Sequence, residues 1–153
     1  MMMRQKHETM IFHDNHDDDQ KLKYNIIPEY FSPNNSSNRF HDFFKDGVHD
    51  AFIAKLQERI TKNLVLGDGM DPKVNQGPLI NTNQFKRVCN LVDGAKAAGA
   101  NVVMGGSPKG NLHFQPTIIT DVNPGMEVFK DEIFGPVISV IRFKHENVTY
   151  FLT

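Results

Sequence analysis

One cysteine, Cys89, stands in 153 residues. The chain therefore forms no internal disulfide, and a reducing compartment is the default. Long apolar runs are equally scarce, and none approaches the ~20 residues that a membrane span requires. Charge of either sign is not in excess. Lys and Arg number 17 against 18 Asp and Glu, a net charge of -1, which removes the electrostatic argument for a nucleic-acid surface or an anionic-membrane partner. The first ten residues lack the apolar core of a secretory signal, and the acidic stretch beyond them is unlike a transit peptide. These absences point to the cytoplasm, with the mitochondrion as the alternative. The length suits one domain or part of a larger one.

What is present is unevenly spread. Residues 1–38 hold the run His13-Asp14-Asn15-His16-Asp17-Asp18-Asp19, an apolar piece cut by Pro28, and the linker-like Ser32-Pro33-Asn34-Asn35-Ser36-Ser37-Asn38. That composition predicts a largely disordered or loosely attached segment. From residue 39 the pattern is globular. Val48, Phe52, Leu56, Ile60 and Leu64 recur every four residues, which predicts an amphipathic helix over 47–64, with Asp46 as its candidate cap. Gly67-Asp68-Gly69 and Asp71-Pro72 enforce a loop. A second helix is predicted over 82–98. Asn81 would cap it, Gln84 would answer in a relaxed capping box, and Phe85, Val88, Cys89, Val92 and Ala95 form its stripe, with Gly99 past its end. Strands are predicted over 100–104, 113–120 (interrupted by Pro116) and 137–143, the last apolar on both faces except Ser139 and Arg142. The fold class is α/β in the order helix, helix, strand, strand, strand. Three strands are too few for a complete two-sided layer.

Several residues invite a chemical reading. His13 and His16 with Asp17 to Asp19, and the pairs His41-Asp42 and His49-Asp50, have the residue types of a metal-binding hydrolase. Such a site needs rigid helices around one cavity. Here most of the pairs fall in the predicted tail, and His49 falls mostly outside the stripe of its helix, so a solvated polar segment is favoured and no metal site is assigned. Cys89 sits mid-helix in an apolar stripe, the setting of a core cysteine rather than a reactive thiolate. The glycines at 67 and 69 lack a third, since Pro72 stands in its place. Gly105 to Gly110 has Walker spacing, but Asn111 replaces the lysine. Both read as ordinary turns. Glu132-Ile133-Phe134-Gly135-Pro136-Val137 puts a carboxylate, an aromatic ring and a Gly-Pro break at the start of the predicted buried strand. By residue chemistry alone it is either a solvated strand start or a place where polar groups meet a ligand.

Four segments carry a family resemblance. Asp131-Glu132-Ile133-Phe134-Gly135-Pro136-Val137 resembles the Glu-Glu-Ile/Thr-Phe-Gly-Pro segment of NAD(P)-dependent aldehyde dehydrogenases. Gly67 to Gly69 with Gln76-Gly77-Pro78-Leu79-Ile80, Gly99-Ala100-Asn101-Val102-Val103-Met104-Gly105-Gly106, and Phe114-Gln115-Pro116-Thr117-Ile118 resemble three more segments of that family, in its order and spacing. The resemblance covers about residues 46–144. The texture of Gln76 to Asn81 is similar to the succinate-semialdehyde dehydrogenase branch. The resemblance implies an oxidoreductase that converts an aldehyde to a carboxylic acid with NAD or NADP, and a homo-oligomer at full length. It also implies that Glu132 binds both hydroxyls of the nicotinamide ribose, and that Phe134 packs near the nicotinamide ring.

The departures bear on activity. The family's nucleophilic cysteine lies shortly before the first helix, where this chain has Pro33-Asn34-Asn35-Ser36-Ser37-Asn38. The family's base glutamate and its dinucleotide-binding glycine and lysine motifs have no counterpart. Cys89 matches a helix that is not catalytic. The expectation is a partial aldehyde dehydrogenase catalytic domain over 39–153 behind an unrelated segment 1–38. It would have no catalytic residue, its cofactor contacts would be Glu132 and Phe134, and the chain alone would be inactive. The alternatives are a non-catalytic, truncated interaction protein and, behind it, the His/Asp metal hydrolase.

Overall fold

The computed structural model describes residues 10–12 and 41–143, excepting the side chains of 10–12, 41–46, 48 and 143. The elements are β1 (Met10–Phe12), β2 (His41–Lys45), α1 (Asp46–Asn63), α2 (Thr82–Ala97), β3 (Asn101–Met104), β4 (Thr117–Thr120), α3 (Glu127–Lys130) and β5 (Val137–Phe143). The described strands form one sheet in the order β1-β2-β5-β4-β3. Pairing is parallel from β1 through β2 and β5 to β4, and antiparallel between β4 and β3. The predicted run of two helices and three strands is present, with α3 added as a single turn before β5. Two strands precede it that the sequence did not suggest. Met10–Phe12 lies within the segment expected to be disordered, and it pairs with Asp42–Phe44 as the edge of the sheet. His41–Lys45 abuts α1 without a turn residue, and it pairs only with distant partners, Met10–Phe12 and Ser139–Phe143. Nothing local marks it as a strand.

These two strands extend the expected three to five, and the sheet has apolar packing on both faces. Successive residues of a strand point to opposite faces. Ile118, Ile138 and Val140 pack against Phe52, Ile53, Leu56 and Ile60 of α1. Ile119 and Ile141 pack with Val88, Leu91, Val92 and Ala95 of α2, together with Phe114 and Val128. The stripe of α1 is thus confirmed at Phe52, Leu56 and Ile60, while the Val48 side chain and the proposed Asp46 cap fall outside the described side chains. The stripe of α2 is confirmed at Val88, Val92 and Ala95. Leu91 is buried as well, and Phe85 and Cys89 lie at the margin of the core. β5 is central, as its sequence predicts, and its buried Ser139 faces the layer without a hydrogen-bond partner among the described residues.

α2 has well-formed ends. The Asn81 side chain accepts from the Gln84 amide at 2.8 Å. At the other end Gly99, at φ 94°, allows its N–H to reach the Lys96 carbonyl at 3.1 Å and that of Ala100 to reach Ala95 at 2.9 Å. This is a Schellman stop. The Gly105-Gly106 turn is tied down equally firmly. The Gly106 N–H donates to Thr117 Oγ1 at 2.9 Å, and its carbonyl accepts from Lys96 Nζ at 2.5 Å. Its donors are therefore consumed by the fold, as an ordinary turn requires. At Gly105, φ is 69° and a Cβ would stand 2.2 Å from the Pro116 carbonyl oxygen. The strand from 113 is correspondingly shortened to Thr117–Thr120, because Pro116 and this close approach interrupt the ladder.

His49 departs from its expected setting. It is buried, with 4% of its surface exposed, rather than outside the packed face of α1. Its Nδ1 lies 2.9 Å from Asp50 Oδ1 and 3.0 Å from Arg142 Nη2, and Arg142 Nη2 also donates to Asp50 Oδ1 at 2.5 Å. The pair is an anchor between α1 and β5. The His49 hydrogen bond, with help from Arg142, holds the Asp50 carboxyl below its ordinary value of 3.8 against the opposing effect of desolvation.

Two outcomes are expected. Gly105→Ala combines a positive φ with a collision against backbone, and should lower unfolding free energy by roughly 1–3 kcal/mol in thermal or urea denaturation; unchanged stability would contradict the geometry. For Asp50 the folded carboxyl titrates below the unfolded one. Its contribution is therefore present above the unfolded value and is lost as pH falls through the lower, folded value. Between about pH 5 and about pH 2 the wild-type chain should lose stability more steeply than Asp50→Asn, and parallel curves would refute this anchor.

Candidate functional site

The four family-like segments meet in two places. Gly99–Gly106 and Phe114–Ile118 come together at the Gly105 turn, which is structural. Gln76–Ile80 and Asp131–Val137 come together beside the first turns of α2. Gln76 is buried, and its Nε2 donates to the Phe114 carbonyl at 3.0 Å. The Leu79 N–H donates to Leu112 at 2.7 Å. Leu79 then packs near Gly135, at 3.6 Å from where a Cβ on that glycine would lie, while Ile80 is 87% exposed.

Asp131 to Pro136 links α3 to β5. It is extended at Asp131 (φ -105°, ψ 137°), whose N–H closes α3 on Glu127 at 2.8 Å. Two three-residue turns follow, with Gly135 N–H donating to Ile133 at 2.6 Å and Val137 N–H to Gly135 at 2.8 Å. The Pro136 carbonyl then accepts from Thr117 N–H at 2.8 Å, which starts the β4–β5 ladder. Gly135 lies so close to α2 that a Cβ would stand 2.8 Å from Val88 Cγ2. The segment is thus pressed against the helix at one end and locked into the sheet at the other.

Side chains of α2 hold the part between. Gln84 Nε2 donates to the Phe134 carbonyl at 2.7 Å. The relaxed capping box is therefore half present: Asn81 caps the helix, but the Gln84 amide is turned to Phe134. Arg87 forks, with Nη1 on the Glu132 carbonyl at 2.7 Å and Nη2 on Asp131 Oδ2 at 3.0 Å. Neither contact is legible in sequence, because nothing local says that α2 runs beside a loop 44 to 50 residues later. Arg87 and Asp131 also form one wall of an open cleft of about 360 Å³ between α2 and α3, with Asn83, Lys86, Asn90, Leu91 and Glu127 as the rest.

Of the predicted contact residues, Glu132 is half-buried and Phe134 is 54% exposed, unusual for so large an apolar ring. Among the described residues nothing pairs with the Glu132 carboxylate. The arrangement offers a free carboxylate and an open aromatic face two residues apart on a restrained backbone. A carboxylate has acceptor capacity for two hydroxyls at once, and a ring can cover a flat heterocycle.

The other candidates are not drawn into this place. The thiol of Cys89 is pushed up by desolvation and then by the Asp93 carboxylate, which keeps it protonated, unlike an activated nucleophile. Among the described residues no three His, Cys, Asp or Glu side chains are placed to hold a metal ion. His13, His16 and Asp17 to Asp19, and the side chains of His41 and Asp42, lie outside the described residues, as does the Pro33–Asn38 stretch. Among the described residues no helix is long and apolar enough to cross a membrane.

Comparison with known proteins bears on the family. A family model described as "Aldehyde dehydrogenase family" matches residues 37–149. An aldehyde dehydrogenase of Agaricus bisporus is 40% identical over 104 residues, covering 67% of this chain and 21% of that protein. The crystal structure of succinate-semialdehyde dehydrogenase from Burkholderia pseudomallei superposes with a TM-score of 0.82 at 32% identity, over 95% of this chain and 31% of that one. A betaine aldehyde dehydrogenase from Staphylococcus aureus, solved in complex with NAD+, matches with a TM-score of 0.80 at 28% identity, over 94% of this chain and 30% of that one. The chain thus spans between a fifth and a third of the length of these relatives. With the family model covering most of the described residues and the fold agreeing over nearly the whole chain, this chain belongs to the aldehyde dehydrogenase family.

Proposed function

We propose that this region serves the NAD(P)-dependent oxidation of an aldehyde to a carboxylic acid, and that its share of the work is to hold the nicotinamide ribose. The observation that carries the reading is the Glu132 carboxylate, unpaired among the described residues, beside the exposed Phe134 ring on a backbone held by α2. A nicotinamide bound there supplies the hydride acceptor. Glu132 would accept hydrogen bonds from both ribose hydroxyls, a two-point grip that fixes rotation as well as distance. Phe134 would limit where the ring can sit. Together they orient the hydride-accepting face, and correct orientation is worth several kcal/mol of a barrier, up to about 7–11 kcal/mol in favourable cases. The texture of Gln76 to Asn81 supports succinate semialdehyde as the aldehyde.

The chain as it stands is proposed to be inactive. The stretch that would carry the nucleophile, Pro33 to Asn38, has no thiol, and Cys89 is kept protonated on a helix packed into the core. Residues 1–38 are read as outside the family region that follows, although Met10–Phe12 within them pairs with β2. A second reading is favoured by the exposure of Ile80 and Phe134: the chain acts without catalysis, by associating with full-length subunits of its family, whose assembly is proposed to be homo-oligomeric.

Two measurements test this. With a panel of aldehydes and NAD or NADP, the purified chain should give no nicotinamide reduction; turnover abolished by Glu132→Gln would overturn the inactivity. Titrated with nicotinamide mononucleotide and followed by NMR, the chain should show shifts centred on residues 131–136, and Glu132→Gln should weaken binding roughly tenfold, the loss of a charge-assisted bond to a neutral amide. Binding unaffected by Glu132→Gln would contradict the assigned role.

A further inference from the structure

Arg87 and Gln84 stand three residues apart on α2, so they share one face. Their targets, the carbonyls of Glu132 and Phe134, stand two residues apart. The helix face takes both carbonyls, through the Gln84 amide and the Arg87 guanidinium. The contacts are unequal in kind. Gln84 makes one neutral hydrogen bond at 2.7 Å. Arg87 makes two, to the Glu132 carbonyl at 2.7 Å and to the Asp131 carboxylate at 3.0 Å, and so grips two consecutive residues from one rigid plane. A two-point grip removes rotation of the peptide between them, which a single bond would leave free. Below the grip, Gly135 is pressed on Val88 without room for a Cβ, so the segment cannot sink further toward the helix.

We propose that Arg87, seconded by Gln84, is a positioning residue: it sets the backbone height and twist of Asp131–Phe134, and thereby the direction in which the Glu132 carboxylate and the Phe134 ring are presented to the nicotinamide ribose. The part concerning ribose rests on the proposed function; the part concerning the backbone does not. Arg87 reaches the ligand only through Glu132. A methionine at 87 keeps an unbranched apolar stem of similar reach and loses the fork. A lysine keeps the charge but supplies a compact ammonium in place of a planar fork, and holds one of the two targets at a time.

The experiment compares wild type, Arg87→Met, Arg87→Lys and Gln84→Leu. It reads amide hydrogen exchange at Asp131 and Gly135, whose N–H groups donate to the Glu127 and Ile133 carbonyls, nicotinamide mononucleotide affinity, and thermal unfolding as the control for folding. In Arg87→Met, exchange at these amides should rise about tenfold or more and affinity fall about tenfold, with amides in β5 unchanged. Arg87→Lys should fall between Arg87→Met and wild type, a graded rescue that a mere packing role would not give. Gln84→Leu should raise exchange less than Arg87→Met and mainly at Gly135. Exchange in Arg87→Met equal to wild type would overturn the proposal, as would equal exchange in Arg87→Met and Arg87→Lys. If wild type fails to bind the mononucleotide, the ribose reading falls, and the exchange data still decide whether Arg87 fixes the segment.

Discussion

The contact between α2 and Gly135 constrains most of what surrounds it. A glycine at that position lets the Glu132–Pro136 segment lie directly against Val88, and any side chain there would push it away. Because the segment lies so close, Gln84 and Arg87 reach its carbonyls. Because those carbonyls are bound on the helix side, the segment is restrained along its length. Pro136 then hands the chain to Thr117, and β5 begins in register with β4. One steric permission thus couples the helix, the loop and the centre of the sheet.

The sheet gives that contact its rigidity. β5 is flanked by strands on both sides and covered on both faces, by α1 through Ile138 and Val140 and by α2 through Ile141. A loop that enters such a strand has one fixed end. Its other end is the α3 turn, closed on Glu127 by the Asp131 amide. Between two fixed ends and one gripping helix, six residues have little freedom left.

Much of the frame was legible in sequence. The four-residue spacing of Phe52, Leu56 and Ile60, the Asn81 cap, the Gly99 stop and the two-faced apolar run of β5 each announced themselves through local physics. The resemblance of Glu132–Val137 to a family segment is what singled out the candidate site. What escaped was non-local. β1 and β2 are short, and their identity as strands comes from partners up to about a hundred residues away. Burial of His49 was missed because its helix face is covered by β5, which the periodicity of α1 cannot foresee. Gln84 was read as a capping residue, and the fold offers its amide a better acceptor in the Phe134 carbonyl. The role of Arg87 is not legible locally, because its partners lie beyond two further strands.

The division between presence and absence is chemical. The proposed ribose-binding place rests on Glu132 and Phe134, while the stretch Pro33 to Asn38, expected to match the family's nucleophile segment, contains no cysteine. The most direct test of the account is a crystal structure of the chain with nicotinamide mononucleotide. The account predicts both ribose hydroxyls within about 2.6–3.2 Å of the Glu132 carboxylate, with Arg87 and Gln84 still on the Glu132 and Phe134 carbonyls. A mononucleotide bound elsewhere, or bound here with the Glu132 carboxylate turned away, would contradict it.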